Sequence, residues 1–432
     1  MVDLVERAEA DEMPAGYRMT ELGLLPEDWR VLPLGLIAPM QLGRTPARAT
    51  SPYWNDGCVP WVSIADLNNG RVTATRESIS RRAFDEVFRG RIVQEGSLLM
   101  SFKLTIGKVG ILDIPAVHNE AIASFLPGSS IDRDFLFFLL QATDFTRSVD
   151  SYVKGKTLNK DKMQRFLLPV PPLAEQRAIA QVLSTVQRAR EATEAVIATT
   201  RELKRSLMRH LFTYGPVPLD QVAGVRLKET EIGLVPEQWQ VERFDDLVTI
   251  VGGQVDPTQA PFSTLPHVAP DHIESGTGRL LPTRTARELN LISGKYHFAA
   301  GDVLYSKIRP YLCKAALVRF EGTCSADMYV LRPVANRLAR AFLFYLLLTP
   351  QFTRQAMSFQ DRTGIPKINR QQLGTLLLPV PRDDEQRKIA ATYAAADAKL
   401  RVEGAVAKQC DDLFRALLGK LVTGQVRAIE RE

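Results

Sequence analysis

The sequence predicts a mixed α/β (α+β) fold with two globular domains, joined by two long antiparallel helices that form an intrachain coiled coil. Three observations predict it: two segments recur at one offset, a long helical pattern follows the second segment in each copy, and short β-rich runs fill the intervals. The chain has 432 residues, of which 45% are hydrophobic and 24% are charged, a composition typical of globular proteins.

The repeat is carried by two pairs of segments. Thr20–Val31 recurs as Thr230–Val241 with eight of twelve residues identical, and Leu168–Ala180 recurs as Leu378–Ala390 with nine of thirteen identical. Both pairs are offset by 210 residues, which is too long for the unit of a solenoid. The pattern therefore predicts two copies of one domain plus a connector, related by a pseudo-two-fold internal repeat.

These segments define the predicted domain boundaries. They are an N-terminal extension (residues 1–19), a first globular domain (20–170), a central helix (171–215), a linker (216–229), a second globular domain (230–380), a C-terminal helix (381–424) and a tail (425–432).

Each connector is predicted to be one long helix with a single apolar seam. The first helix covers Glu175–Leu211, which contains neither Pro nor Gly, and the second runs from about Asp384 to Leu421, where Asp383 and Gln386 suggest a capping box. A helix this long with one apolar stripe needs a partner, and the other copy is the economical choice. Packing of each helix on its own domain is the alternative. The predicted first seam contains Ile179, Val182, Val186, Ala189, Thr193, Val196, Thr200, Leu203 and Leu207, and the second includes Leu413.

The intervals between the repeated segments predict mixed α/β domains. Short β-rich runs are separated by Gly, Pro and Asn, and an apolar helix follows them at about Asp134–Gln141 and again at about Arg340–Leu348. Strands and helices do not alternate regularly, so a doubly wound nucleotide-binding fold is not predicted.

The chain shows no sequence signature of catalysis. It lacks the phosphate-binding glycine motifs, the G-x-S-x-G nucleophile motif, the H-E-x-x-H zinc motif and the [DNS]-P-P-[YFW] motif of amino-methyltransferases. Its five His and four Cys are scattered, so we predict no metal site, and we expect His267 and His272 to be surface residues. The scattered Cys, the polar N-terminus and the absence of a long apolar run predict a cytoplasmic protein without a membrane span.

The charge gives a weak indication of a polyanionic partner. The net charge is +6, and Arg outnumbers Lys by 39 to 16. The planar guanidinium fork suits phosphates and guanine edges, although a GC-rich genome explains an Arg excess equally well. Residues 1–172 carry a net charge of −1 and residues 216–382 carry +4, so neither stretch is strongly basic.

The repeated motifs resemble those of the DNA-specificity subunits of type I restriction–modification enzymes. The resemblance spans about Gly16 to Gly424 and rests on duplicated T-E-x-G-x-x-P-x-x-W and P-V-P-x-x-x-E-Q-x-x-I-A motifs. Two further stretches are similar to the family, and these are Gly43-x-Thr45-Pro46 with Pro60-Trp61, and Gly301-Asp302 before SKIRPYLCK.

The resemblance implies a non-catalytic subunit of a restriction endonuclease and DNA-adenine methyltransferase complex. Each globular domain would be a target-recognition domain that reads one half of a bipartite double-stranded DNA site, and the paired helices would set the unread spacer. Two methyltransferase subunits and two motor–nuclease subunits would bind the chain and carry S-adenosylmethionine, ATP and Mg²⁺, with no cofactor on this chain. Because the domain interiors differ, we expect an asymmetric target.

Two other functions remain possible from the sequence: a self-contained recognition and modification enzyme, and a DNA-reading scaffold of another defence system. The modest net charge predicts weak DNA binding by the isolated chain and tight binding only with the methyltransferase subunits.

The candidate DNA-binding residues are basic side chains in or beside predicted loops, where small residues let the backbone approach DNA. A solvated surface charge is the alternative for each of them. In the first domain they are Arg44, Lys103, Lys108, Lys154 and Lys156; in the second they are Lys307, Arg309, Lys314, Arg362 and Lys367.

Two further residue pairs could be taken for base-stacking or catalytic groups, but we predict structural roles for both. Trp29 and Trp239 lie in apolar entry motifs, so they are predicted to anchor the cores. Glu175 and Glu385 lie in the first turn of the long helices, where a carboxylate complements the helix dipole and accepts tertiary hydrogen bonds.

Overall fold

The computed structural model describes residues 14–145, 150–152, 155–157, 159–359 and 365–428. The chain divides into two compact units. Unit 1 comprises Met1–Glu194 and Val406–Glu432, and unit 2 comprises Ala195–Ala405. Each unit thus contains one globular domain, part of the first long helix and part of the second.

Unit 1 is a mixed α/β domain. Its described strands are β1 Tyr17–Thr20, β2 Gly23–Pro26, β3 Arg30–Pro33, β4 Met40–Leu42, β5 Val59–Val62, β6 Gly70–Val72, β7 Glu77–Ile79, β8 Leu98–Ser101, β9 Val109–Leu112, β10 Val117–His118, β11 Ile122–Phe125, β12 Asp150–Tyr152, β13 Gly155–Thr157 and β14 Leu167–Val170. Its short helices are α1 Leu34–Ile37, α2 Arg81–Val87, α3 Arg133–Ala142 and α4 Lys160–Arg165.

The core of unit 1 forms around a five-stranded sheet of order β4-β11-β8-β9-β6. Helix α3 packs on this sheet, and its Phe135–Leu140 run is buried throughout because the helix is apolar on every face. The Asp132 side chain caps α3 by accepting hydrogen bonds from the backbone N–H groups of Asp134 and Phe135. A second sheet of order β10-β5-β7 packs around Trp61 and α2.

Two long helices connect the globular parts. Helix α5 covers Leu173–Tyr214, which is 42 residues or roughly 63 Å at 1.5 Å per residue. The second long helix covers Asp383–Val422 and is 40 residues long. It is α10 in chain order, after the four short helices of unit 2.

Unit 2 repeats the plan of unit 1 with different detail. Its strands are β15 Leu227–Thr230, β16 Gly233–Pro236, β17 Gln240–Arg243, β18 Val248–Ile250, β19 Gln254–Val255, β20 His267–Val268, β21 Lys295–Phe298, β22 Val303–Ser306, β23 Ala315–Leu317, β24 Gly322–Cys324, β25 Met328–Pro333 and β26 Leu377–Val380. Its short helices are α6 Phe244–Leu247, α7 Arg340–Leu347, α8 Pro350–Met357 and α9 Arg370–Gly374. The main sheet has the order β18-β25-β22-β23, with α7 packed on it, and a second sheet has the order β19-β21-β24-β20.

The two long helices pack against each other in antiparallel fashion within each unit, as a coiled coil. In unit 1 the start of α5 shares a core with the end of α10, where Arg190 pairs with Asp411 at 3.5 Å. In unit 2 the end of α5 meets the start of α10, where the Phe212 and Tyr393 rings lie 6.0 Å apart. Within each unit the helices therefore bury their apolar stripes on each other as well as on the globular domain. No described helix is both long and apolar enough to cross a membrane.

The apolar seam predicted for the helices is half wrong. Val182, Val196 and Leu203 are substantially exposed, whereas Leu183 is fully buried. At these places the buried seam passes through the next residue along the chain. One such residue is Lys204, which follows Leu203 and whose largely buried ammonium pairs with Asp397 at 2.5 Å. In α10 the predicted Leu413 is half exposed, and Phe414 next to it is buried.

The duplicated Glu-Gln dipeptides attach the long helices to the domains. The Gln176 side chain accepts a hydrogen bond from the Asp132 N–H and donates to the Pro171 carbonyl. Gln386 repeats this pattern with the Ala339 N–H at 2.7 Å and the Pro381 carbonyl at 2.9 Å. Gln386 is therefore a tertiary bridge to the start of α7, and the predicted capping box with Asp383 is wrong.

Each unit buries one histidine in its second sheet. His118 lies in β10, and burial lowers its pKa to about 4. His267 lies in β20 and contacts the Thr323 hydroxyl at 3.1 Å; burial, with the nearby Lys295 charge, lowers its pKa to about 4 as well. The prediction that His267 is a surface residue is wrong, because its strand pairs in parallel with β24 inside the domain.

Candidate nucleic-acid interface

Two loops leave the main sheet of unit 1 at the same edge. Strand β8 ends at Ser101, which pairs with Ile122 of β11, and the Gly43 N–H after β4 donates to the Ile122 carbonyl at 3.3 Å. The loop after β4 and the β8–β9 loop (residues 102–107) are therefore neighbours. We call this the unit 1 edge.

Gly43 lets the chain pass close to β10 at this edge. A Cβ atom at Gly43 would lie 2.1 Å from the His118 carbonyl oxygen, so only glycine fits. The next residue, Arg44, is exposed; its N–H donates to His118, and its guanidinium donates to the Val87 carbonyl at 2.9 Å. The close approach thus fixes the backbone from which Arg44 projects.

The other two predicted residues described in unit 1 frame the β8–β9 loop. Lys103 is half-buried with its ammonium 5.3 Å from the centre of the Phe102 ring. The Lys108 N–H donates to the Ser101 hydroxyl at 3.1 Å. The structure therefore brings Arg44, Lys103 and Lys108 to one sheet edge.

Unit 2 gathers cations at the equivalent edge. Strand β22 ends at Ser306, and the β22–β23 loop (residues 307–313) meets the segment before α9. The Arg309 N–H donates to Pro366 at 2.7 Å, and Ile308 forms an isolated bridge with Lys367. Lys307 and Arg309 thus meet Lys367 at this unit 2 edge, although Lys367 is distant from both in the sequence.

Tyr329 provides the aromatic centre of the unit 2 edge. The Lys307 ammonium lies 5.7 Å and the Arg370 guanidinium 5.9 Å from the centre of its ring. Burial, with the charges of Lys367 and Arg370, lowers the pKa of Lys307. The three cations Lys307, Lys367 and Arg370 lie close enough to interact electrostatically, which favours a phosphate group at this edge.

Arg370 was missed in the sequence. Its guanidinium also donates to the Ile250 and Val251 carbonyls at 3.4 and 3.1 Å. The available signal was the repeat, because Asn369-Arg370 aligns with Asn159-Lys160 at the offset of 210.

The remaining candidates are placed differently. Lys314 is half-buried and donates to the Pro270 carbonyl at 2.8 Å, so it anchors a neighbouring loop. Lys154 and Arg362 lie outside the described residues, and Lys156 lies in β13 with its side chain outside them.

A stack of one exposed arginine on two tryptophans, one partly buried and one buried, was also missed in unit 1. The Arg48 guanidinium lies 3.8 Å from the centre of the Trp54 ring and is held by Glu77 through bonds of 2.5 and 2.9 Å. Trp61 contacts Trp54 edge-on at 5.2 Å. The hydrogen bonds from Arg48 lower the pKa of the Glu77 carboxyl. The Trp61 indole N–H donates to the Arg44 carbonyl at 3.1 Å, so the stack anchors the loop that carries Arg44.

The basic side chains at these edges carry donors of the kind that phosphates and base edges accept. Within the part of the chain that the structure describes, no group of three His, Cys, Asp or Glu side chains is placed to hold a metal ion.

A family model covers both halves of the chain. The type I restriction modification DNA specificity domain matches residues 26–199 and again residues 236–405. The chain belongs to this family. The two matched domains fit recognition of a DNA target in two parts.

Relatives from bacteria and archaea align along nearly the whole chain. The type I restriction enzyme EcoDI specificity subunit of Escherichia coli is 28% identical, over 94% of this chain and 90% of its own length. The MjaVIII specificity subunit of Methanocaldococcus jannaschii is 22% identical, over 93% of this chain and 94% of its own.

Solved structures share the fold. The type I restriction–modification S subunit from M. genitalium superposes with a TM-score of 0.59 at 13% identity, covering 91% of this chain and 96% of its own. A chain from a structure of type I R-M complex assembly and conformational transition gives a TM-score of 0.53 at 18% identity, covering 93% and 99%. The predicted fold class is confirmed.

Proposed function

We propose that this chain is the DNA-specificity subunit of a type I restriction–modification complex and reads an asymmetric bipartite target. The observation that carries the proposal is the match of two specificity domains along most of the chain. Each domain would read one half-site through the sheet edge described above, by base contacts in the major groove and by phosphate contacts that fix its register.

The chemistry of the two edges supports unlike half-sites. The unit 1 edge carries Arg44, Lys103 and Lys108 beside an exposed Leu104, whereas the unit 2 edge carries Lys307, Arg309 and Lys367 around Tyr329. Different donors and apolar groups select different bases, so an asymmetric target follows.

We further propose that the catalytic groups are supplied by partner subunits. Two DNA-adenine methyltransferase subunits would bind S-adenosylmethionine, and two motor–nuclease subunits would bind ATP and Mg²⁺. Helices α5 and α10 would serve as docking elements, and their lengths of 42 and 40 residues would set the unread spacer. The chain would act in the cytoplasm, where chromosomal and incoming DNA are both accessible.

A methyl-transfer assay tests the proposal. The chain alone, the methyltransferase subunit alone and the two together are incubated with labelled S-adenosylmethionine and genomic DNA. We expect sequence-specific DNA labelling only with both proteins, and co-purification of the two. DNA labelling by the chain alone would support a self-contained enzyme, and failure to bind the methyltransferase subunit would support a scaffold of another system; either result contradicts the proposal.

Affinity provides a second test. Because residues 1–172 carry a net charge of −1, we expect weak DNA binding by the isolated chain and tight binding by the complex. Nanomolar, sequence-specific binding by the isolated chain at physiological salt would contradict the division of affinity between subunits.

A further inference from the structure

The loops at the two edges share one backbone design. In unit 1 the Ser101 N–H donates to Lys108 at 2.9 Å, and the Ser101 hydroxyl donates to the Thr105 carbonyl. In unit 2 the Ser306 N–H donates to Lys314 at 2.9 Å, and its hydroxyl donates to Ile308 at 2.9 Å. A buried serine therefore closes the base of each loop and fixes where the loop leaves its sheet.

Both tips contain a residue in the left-handed region. Leu104 has φ of 64° and Arg309 has φ of 49°, and each is the third residue after the serine. Eight non-glycine residues of the described chain have positive φ, and four of them are Asn or Asp, which tolerate it. Of the other four, Leu104, Arg309 and Cys313 lie in these two loops. Such backbone strain persists where surrounding structure over-determines it, and it concentrates at functional positions.

The two strained side chains are available to a ligand. Leu104 is 81% exposed, so its side chain is accessible to a ligand. Arg309 is exposed, and its guanidinium has no hydrogen bond or ion pair with the described residues. By contrast, the guanidinium groups of Arg44 and Arg370 already donate hydrogen bonds to backbone carbonyls. The loops therefore hold an apolar group in one unit and an unused bidentate donor in the other, at one position of the repeat.

We propose that Leu104 and Arg309 are equivalent specificity-determining residues, one in each recognition domain. Arg309 would donate two hydrogen bonds to guanine O6 and N7, and Leu104 would contact the methyl group of thymine. Both features lie in the major groove, where guanine and thymine are distinguished from the other bases by these groups. The inference rests on the proposed function and deepens it, since it assigns a G·C pair to the half-site of unit 2 and an A·T pair to that of unit 1.

Glycine substitutions isolate the side chains from the backbone. Leu104→Gly and Arg309→Gly remove the reading groups but adopt positive φ without strain, so the loops keep their conformation. Leu126→Gly and Arg319→Gly are the matched controls. Leu126 is exposed after β11, and Arg319 is exposed after β23, each at the end of its sheet opposite to the loop.

The readout is the methylated target of each variant, expressed with its methyltransferase subunit and mapped by long-read sequencing. For Arg309→Gly we expect discrimination at one G·C pair of one half-site to fall about tenfold or more, with the other half-site unchanged. For Leu104→Gly we expect a loss of about fourfold at one A·T pair of the opposite half-site, because one methyl contact is involved. Both controls should retain the wild-type target.

Two outcomes would overturn the inference alone. Either the variants retain the wild-type target, or their methylation weakens equally at every base, as the loss of a phosphate contact would produce. A wild-type complex that methylates no split target would overturn the proposed function, and this inference with it.

Discussion

The tryptophan of the duplicated T-E-x-G-x-x-P-x-x-W motif is surrounded by different polar groups in the two units. In unit 1 the Trp29 indole N–H donates to Glu175 at 2.9 Å, and Arg427 binds the same carboxylate through bonds of 2.7 and 2.8 Å. In unit 2 the indole N–H of Trp239 is buried without a hydrogen-bond partner in the described structure. Glu385 there accepts from the Arg382 N–H at 3.1 Å.

The difference arises from the residues beyond the end of each long helix. Arg427 lies beyond the end of α10, and the residue 210 positions earlier, beyond the end of α5, is Val217. The Val217 carbonyl instead contacts His210 Nε2 at 2.7 Å. The repeat thus preserves the buried indoles, which are fully excluded from solvent in both units, and lets the polar contacts around them diverge. The loops differ in the same way, because Leu104 and Arg309 both have a positive φ but carry an apolar and a charged side chain, respectively.

We expect the largest difference in stability between the two units when Glu175 and Glu385 are each replaced by Ala. Glu175→Ala leaves the buried Trp29 N–H unpaired and removes two charge-assisted hydrogen bonds from Arg427. Arg427 keeps its contact with Asp28 at 2.7 Å, and we expect a loss of about 3 kcal/mol in the free energy of unfolding.

Glu385→Ala, the matched control, loses one backbone hydrogen bond and a 3.6 Å ion pair with the exposed Arg382 guanidinium, and should cost about 1 kcal/mol. Urea titrations measure the loss of unfolding free energy in each variant. Equal losses would show that the polar contacts of Glu175 contribute no more to stability than those of Glu385.

A change of pH should affect the two units alike. The folded-state pKa of His118 is about 4, below the ordinary value of about 6.5, so the unfolded chain takes up a proton first as the pH falls. Its contribution to stability is complete above the ordinary pKa and is lost progressively towards pH 4, by about 2 kcal/mol at pH 5. His267 should behave in the same direction.

His118→Gln provides the control for this dependence. The difference in unfolding free energy between pH 7 and pH 5, measured by urea titration, should be smaller in the variant than in the wild type. An identical pH dependence in both proteins would mean that His118 is not buried in its neutral form.

Replacing the indoles separates apolar from polar contributions. Trp29→Phe and Trp239→Phe remove the same apolar area, but only the first removes a hydrogen bond to a carboxylate. We expect Trp29→Phe to cost about 1.5 kcal/mol more than Trp239→Phe in urea unfolding. A larger cost for Trp239→Phe would place a missing partner at that indole.

The smallest effect concerns the strained loop tips. Leu104→Gly and Arg309→Gly should each raise the free energy of unfolding by about 0.5 kcal/mol, since relief of the left-handed strain exceeds the entropic cost of glycine. Thermal unfolding of both variants measures the gain. A loss of stability in either would show that its side chain packs on the domain.

The sequence predicted the repeated motifs better than it predicted which side chains lie in the seam between the long helices. The two tryptophan motifs lie in the cores as expected, because an aromatic residue in an apolar segment has few alternatives. The helix seam was displaced by one position at several places, since apolar residues are adjacent at Val182-Leu183 and Val196-Ile197 and either phase fits a heptad. Lys204 enters the seam only because Asp397 of the other helix neutralises it, which one helix cannot reveal.

The candidate interface was predictable to a similar degree. Loops rich in Gly and Pro led to Arg44, Lys307 and Arg309 without the structure. Arg48 was missed because its position depends on Trp54 in the same loop region and on Glu77 in strand β7. Its role follows only from the tertiary contacts.

The most direct test of two unlike recognition domains is the methylated target of the wild-type complex, determined by long-read sequencing of DNA from cells that express the chain with its methyltransferase subunit. We expect one target with two different half-sites separated by unread base pairs. A palindromic target with identical half-sites, or an uninterrupted target, would contradict the assignment of one half-site to each domain.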